Sequence, residues 1–389
     1  MTRFLLLCSL IGLTSSTIYL ILVLVSARRF RRQSRSGSRT DSSWPFVTVL
    51  KPLHGLEPML DRNLESFFRQ DYPQFEIIFG ARHADDPALE IVQALRDKYP
   101  QQKTRIILSG DPQYPNAKVF ALEKMVSEAK GSYWVITDSD VCVKPDCIRQ
   151  VIAPLLSPAI GVVTCLYRGV PAGGRWSILE ALGMSVEMSS GVLVANMLEG
   201  MRFALGPTMA TRKEIIESIG GMRALGSYCA DDYILGKRAF EAGRQVVLSH
   251  HFIDHVAMNT SLRSSLAHQI RWMRSTRFSR QAGHIGTGLT YAMPFGLLGL
   301  FTATSWGAGL ALFGWAFFNR VVQAVAIGWE VVGDRNSLLL CWLYPVRDLL
   351  GFFVWCASFG GNEIVWRNQR YQLVADGKMV RKFNGLKSV

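Results

Sequence analysis

Phe4 to Val25 is an uncharged, mostly apolar run, and Arg28, Arg29, Arg31, Arg32, Arg35 and Arg39 follow it at once. A helix of roughly 20 such residues crosses a bilayer core, so this run ties the chain to a membrane before anything else is read. A cleaved signal peptide carries its charge ahead of the apolar core and a small-residue site behind it, and here the order is reversed. The expectation is a signal anchor over residues 1–27, with the N-terminus outside and Arg28 onward in the cytoplasm. Ser34 to Ser43, rich in Ser and Arg, has too little apolar content to fold and reads as a linker.

The same argument applies toward the other end. Leu289 to Trp329 is apolar except for Asn319, Arg320 and Gln323, which fits two close-packed spans or a span plus a re-entrant helix. Leu338 to Phe359 reads as one further span with Arg347 and Asp348 in its middle; charges there are costly, so they mark a contact inside the bundle or a break in the helix. Hydrophobic residues make up 49% of the 389, as suits a multi-pass membrane protein. The net charge of +13 collects after the first apolar run and in the tail (Arg367, Arg370, Lys378, Arg381, Lys382, Lys387), beside membrane-like stretches. That placement is juxtamembrane anchoring and excludes the aromatic-interleaved basic groove of a nucleic-acid binder. Seven scattered cysteines without a CxxC pair argue against a disulfide framework and a structural zinc site.

Between the apolar ends, residues 46–285 alternate strand-like and helix-like segments. Phe46–Leu50, Glu76–Ala81, Thr104–Leu108, Tyr133–Thr137 and Ile160–Leu166 read as strands; Leu60–Phe68, Ala88–Lys98, Asn116–Ala129 and Asp146–Leu156 read as helices. That rhythm predicts an α/β, Rossmann-like, mostly parallel sheet, and ligands of such sheets gather beyond the carboxyl ends of the strands. Acids stand there in two places, Asp85/Asp86 after the second strand and Asp138/Asp140 after the fourth. Asp-x-Asp on a loop suits a hard divalent cation neutralising a diphosphate, although the tripeptide alone is also a common helix cap.

Met184 to Met197 is apolar but carries Glu187, Ser189, Ser190 and Asn196, so it reads as a core or interfacial helix and a poor span. Asp231/Asp232 open a helix running to Ala242, a placement that capping and the helix dipole favour by themselves. His250, His251 and His255 lie on a strand-like segment without the HExxH spacing, which points to packing before metal ligation. Leu266 to Arg274 is a helix with a dense basic face, and Ile364 to Arg381 alternates about Ala375-Asp376-Gly377-Lys378, a hairpin signal.

Taken in order, an anchor, three acidic pairs on an α/β domain, the segment His268-Gln269-Ile270-Arg271-Trp272 and further apolar helices resemble the membrane-bound glycosyltransferases of the family 2 type. Val49-Leu50-Lys51-Pro52-Leu53, Asp85-Asp86-Pro87-Ala88, Ala230-Asp231-Asp232-Tyr233 and Ile270-Arg271-Trp272 are more narrowly similar to the ceramide glucosyltransferases, family 21. The resemblance implies a glycosyltransferase-A-like domain on the cytoplasmic side. It also implies a UDP-sugar donor and Mn²⁺ or Mg²⁺ on Asp138 and Asp140, with Asp232 as general base. Lys51, Asp85 or Asp86, Asp138, His268, Arg271 and Trp272 are the implied donor-binding residues, with His268 standing where the family has Gln or Arg. The implied reaction is inverting transfer of glucose to ceramide or a ceramide-like lipid. Two alternatives share the layout, a hopanoid-directed enzyme using UDP-N-acetylglucosamine and a non-catalytic membrane scaffold. The residues do not specify the oligomeric state.

Overall fold

The computed structural model describes residues 1–33, 43–366 and 369–382, so the linker expected at Ser34 to Ser43 lies, but for its last residue, outside the described residues. The chain divides into two compact units. One comprises Met1–Gly37, Arg168–Gly200 and Ala257–Asn362; the other comprises Ser38–Tyr167, Met201–Val256 and Glu363–Val389.

The second unit is built on an eight-stranded sheet: β1 (Val47–Pro52), β2 (Phe75–Ala81), β3 (Thr104–Leu108), β4 (Tyr133–Thr137), β5 (Val141–Cys142), β6 (Ile160–Pro171), β7 (Thr208–Arg212) and β8 (Gln245–Ala257). Their spatial order is β3-β2-β1-β4-β7-β6-β8-β5. β1 runs parallel to β2, with Val47 opposite Phe75, and to β4, with Val47 opposite Tyr133; β2 runs parallel to β3. Every residue of β1 and β2 is buried. A strand covered on both faces reads as an unbroken apolar run, and each Val, Leu or Ile so buried contributes about 1.5–3 kcal/mol. The helices Leu60–Phe68, Ala88–Lys98 and Ala117–Ser127 connect these strands, each within a residue or two of its expected bounds.

The expected parallel arrangement therefore holds from β3 to β4, and the carboxyl ends of these four strands share one edge. Beyond β4 the sheet turns: β7 pairs antiparallel with β4 and β6 antiparallel with β7, while β5 pairs antiparallel with β8. Nothing in the residue pattern of a five-residue strand such as Thr208–Arg212 encodes its direction. A separate three-stranded antiparallel sheet, β9 (Glu363–Trp366), β10 (Gln369–Leu373) and β11 (Met379–Arg381), contains the expected hairpin.

The first unit is helical. Thr2–Gln33, Gly174–Glu199 and Trp306–Trp329 are long and apolar enough to cross a membrane. Gly174–Glu199 begins well before Met184, and its polar residues have partners that its own sequence does not reveal: Ser190 Oγ accepts from Gln323 at 2.8 Å, and Glu187 pairs with Arg347 at 2.8 Å. Leu289–Trp329 forms the short helix Met293–Thr302 and the long stretch from Trp306, packed through Leu13, Ala292, Met293 and Ala316. Leu338–Phe359 is not one continuous helix. A short helix ends at Leu339, a tight turn follows, and Tyr344–Ser358 starts afresh with Pro345 in its first turn, where the missing N–H is tolerated.

Arg347 and Asp348 both face the interior of this bundle. Asp348 accepts the N–H groups of Ala292 and Met293 at 3.0 and 2.8 Å, capping Met293–Thr302, and takes Arg320 Nη1 at 3.1 Å. Arg320 is 1% exposed, so removing its counter-ion leaves a buried guanidinium uncompensated. Asp348→Ala should destabilise the unit by about 3–5 kcal/mol, read as a lowered Tm in detergent.

Candidate active site

Three elements of the second unit deliver carboxylates to the edge where β1 to β4 end. β4 runs into Asp138 and Asp140, and the backbone holds the turn, since Asp138 N donates to Pro207 O at 3.1 Å. The loop after β1 brings Glu57, and the helix Asp231–Glu241 starts with Asp231 and Asp232.

Lysines tie these acids together. Lys118, in the first turn of Ala117–Ser127, places Nζ 2.6 Å from Asp138 Oδ1 and 4.0 Å from Asp231 Oδ2. Burial opposes its charge, but Asp138 and Asp231 outweigh that and hold its pKa above the usual lysine value. Lys51 is wholly buried on β1, its Nζ 4.0 Å from the Phe67 ring centroid. It donates to the carbonyl oxygens of Asp138 at 2.5 Å and Val141 at 3.4 Å, so this expected donor ligand supports the acidic turn from beneath. Burial brings its pKa down to about 7 against the pull of Asp140 and Asp138.

Asp140 lies beside His255 of β8, with Oδ2 3.0 Å from Nε2, and the edge of Tyr167 packs against the imidazole at 5.1 Å between centroids. Although burial alone would raise the Asp140 pKa, His255 and then Lys51 hold the carboxyl below its usual range. The other oxygen, Oδ1, is buried with no hydrogen-bond partner. An orphaned carboxylate oxygen, an imidazole and a second carboxylate two residues away form the hard oxygen and nitrogen donor set that suits Mn²⁺ or Mg²⁺. Among the described residues no three His, Cys, Asp or Glu side chains are grouped closely enough to hold a metal ion by themselves. The sequence reading of His255 as packing is incomplete: pairing with Asp140 comes from β5 meeting β8, with Val141 opposite His255, which spacing along the chain does not reveal.

Glu57 was not singled out by the sequence. Burial first, and Asp140 second, raise its carboxyl to about 7, opposed by a hydrogen bond with Ser139. Its only sequence signal is an acid just past a strand end.

The third acidic pair divides its labour. Asp231 is buried and accepts from Asn116 Nδ2 at 3.1 Å; the same Asn116 donates to Tyr228 O at 2.9 Å and caps its own helix by accepting from Val119 N at 3.0 Å. Asp232 accepts from the backbone N–H of Gly206 at 2.6 Å and of Tyr233 at 2.8 Å. Gly206 is required by proximity, because a Cβ there would meet Asp232 Oδ2 at 2.8 Å. Burial, then the neighbouring Asp231 charge, raise the Asp232 carboxyl to about 6, against Lys118 and the two N–H donors. A carboxylate so placed is poised to take a proton near neutral pH.

Asp85 and Asp86 differ. Asp86 accepts from Gly55 N at 3.1 Å and Ala88 N at 3.0 Å, clamping the loop after β1 to the start of Ala88–Lys98, whereas Asp85 is exposed. A shallow depression at the ends of β1 to β3 is lined by residues including His54, Arg82, Ser109 and Lys118 and by neither of these acids.

His268, Arg271 and Trp272 lie in the other unit, on the helix Leu262–Ser279. His268 Nδ1 is 2.7 Å from Glu180 Oε1, and its ring sits 4.3 Å from that of Trp272. Glu180, 2% exposed, also accepts from Ser265 at 2.6 Å and Asn259 at 3.1 Å. The nitrogen Nδ1 is thus committed within the unit.

An α/β sheet with acids gathered at its shared strand ends is an arrangement that suits a glycosyltransferase, and the comparison with known families shows that class. The model of glycosyl transferase family 21 matches residues 7–379, and the chain belongs to that family. It is 25% identical over 355 residues to ceramide glucosyltransferase 1 of Caenorhabditis elegans, covering 89% of this chain and 76% of that protein. It is 22% identical to ceramide glucosyltransferase 3 of the same organism, covering 93% and 80%. Among solved structures it is similar to a mannosyltransferase from Pyrobaculum calidifontis in complex with GDP-Man and Mn²⁺, at a TM-score of 0.47 and 16% identity, covering 89% of this chain and 98% of that one.

Proposed function

We propose that this chain is an integral membrane enzyme that transfers glucose from UDP-glucose to ceramide or a ceramide-like lipid, with inversion, from a cytoplasmic catalytic unit. The observation that carries the reading is the convergence of Asp138, Asp140, Asp231 and Asp232 around Lys118 and His255, in a chain whose relatives are ceramide glucosyltransferases.

Asp232 is the base. As the acceptor hydroxyl attacks the anomeric carbon, its proton passes to the Asp232 carboxylate, which two backbone N–H groups keep aimed. Asp138, Asp140 and His255 would hold Mn²⁺ or Mg²⁺, whose charge neutralises the diphosphate leaving group. Lys118, beside Asp138, adds a fixed positive charge where the negative charge of departing UDP develops. The Arg-Trp pair of the motif, Arg271 and Trp272, is assigned to phosphate and sugar by resemblance, as guanidinium forks bind phosphate in a bidentate manner. Asp85, exposed, is the candidate for the uridine, and Asp86 for the loop that carries it. One base and no carboxylate nucleophile make the product the β-glycoside of an α-linked donor.

The test is purified protein in detergent with labelled UDP-sugars, ceramide, diacylglycerol and hopanoid acceptors, with and without Mn²⁺. Labelled glucosylceramide made only with the cation is expected. Incorporation of N-acetylglucosamine into a hopanoid instead would replace both substrates, and no incorporation at all would return the chain to a scaffold.

A further inference from the structure

The segment leading into the third acidic pair is held from two sides. On one, Asn116 N donates to Gly226 O at 2.9 Å and its side chain to Tyr228 O at 2.9 Å. On the other stands the C-terminal hairpin. Met379 N donates to Ser227 O at 2.7 Å, Cys229 N donates to Gly377 O at 3.2 Å, and Tyr228 forms an antiparallel bridge with Lys378. Residues Ser227–Cys229 are thus bridged to Gly377–Met379, ending one residue before the cap of the helix that opens with Asp231 and Asp232.

Several features show the hairpin is built for a fixed position. Its turn places Asp376 and Gly377 at φ of 60° and 76°, left-handed backbone that Asp and Gly tolerate, and Val374 N donates to Lys378 O at 2.9 Å across it. Ile364, Tyr371, Leu373 and Met379 are buried, so one face of the sheet is packed. The Tyr228 ring lies between the Lys378 ammonium at 5.8 Å and the Arg238 guanidinium at 5.5 Å, and Arg238 belongs to the Asp232 helix itself. Hairpin, strap and catalytic helix are therefore linked through consecutive contacts.

We propose that the C-terminal hairpin, residues 363–382, is a positioning element for the general base: it pins Ser227–Cys229 and through them the start of the helix that presents Asp232. The inference rests on the assignment of Asp232 as the base. It makes the segment after the last apolar helix part of the catalytic apparatus and gives it a role beyond juxtamembrane charge.

The experiment uses the full-length protein in detergent. Met379→Pro removes the N–H that bonds Ser227 while leaving every acid in place; Gly377→Ala, which strains the turn without removing a donor, is the milder variant should the first fail to fold. Exposed Gln101→Ala, outside the hairpin and the segment it holds, is the control. Two quantities are read, the hydrogen-exchange rate of the Cys229 amide and the separate values of kcat and the dissociation constant for UDP with Mn²⁺. The expected result is faster Cys229 exchange with kcat down about 10- to 100-fold, the order that a small misplacement of a reacting group costs, while UDP binding stays within about twofold. Unchanged kcat despite a freed Cys229 amide overturns the proposal, and so does a parallel loss of kcat and UDP affinity, which would make the hairpin a general support of the fold. If the unaltered protein transfers no sugar, the assignment of the base fails instead, while the exchange measurement still reports on the clamp.

Discussion

Asp232→Asn is expected to lower turnover by about 10²- to 10⁴-fold while leaving binding of UDP and Mn²⁺ intact, because general-base catalysis is worth that much. Asn keeps the shape of Asp232, and its amide oxygen still accepts from one of Gly206 and Tyr233 while the other N–H loses its acceptor, so Tm is measured beside the rate to separate the lost base from local loosening. A pH dependence accompanies this. The carboxyl must be ionised to accept a proton, and burial with the Asp231 charge raises it to about 6. The kcat/KM of the unaltered enzyme should therefore fall as pH drops through about 6, roughly two units above where an ordinary aspartate would produce the same limb. A flat profile between pH 5 and 7, with turnover preserved in Asp232→Asn, would remove Asp232 from the mechanism.

Asp140→Ala is expected to have the second large effect. Neutralisation of a leaving diphosphate by a divalent cation is worth several kcal/mol, so loss of a principal ligand should cost about 10²- to 10³-fold in turnover. The measurement is Mn²⁺ binding followed by electron paramagnetic resonance, with and without UDP, beside the rate. Bound-Mn²⁺ signal should disappear at concentrations that saturate the unaltered protein. The same substitution leaves His255 without its carboxylate neighbour 3.0 Å away, so His255→Ala should weaken Mn²⁺ binding in the same direction. Undiminished Mn²⁺ binding in Asp140→Ala would place the cation elsewhere.

The parts of this arrangement that were legible in the sequence are those encoded locally. Tyr133–Thr137 announces itself as a buried strand because four of its five residues are buried, and the acids after it stand at a strand end whatever the rest does. The hairpin about Asp376-Gly377 is written in two residues that tolerate positive φ. What was not legible depends on partners distant along the chain. Lys118 looks like any helical lysine until Asp138 and Asp231 come within reach. His255 looks like a strand histidine until β8 meets β5. Lys51 fits the motif for a donor ligand, yet Phe67 and two carbonyl oxygens bury it under the turn. His268, in the motif position where its relatives' Gln or Arg is expected, gives its Nδ1 to Glu180, 88 residues away in the sequence. Glu187 and Ser190 made Met184–Met197 look too polar to span, because their partners Arg347 and Gln323 lie far along the chain.

The stereochemistry of the product tests the account most directly. The proposed mechanism, with Asp232 as the one base and no glycosyl intermediate on the protein, requires inversion at the anomeric carbon. The glycolipid formed from α-linked UDP-glucose should show the large anomeric proton coupling of a β-glucoside by nuclear magnetic resonance. An α-glucoside would contradict the assignment of Asp232 as the sole base and require a second displacement that these carboxylates have not been given.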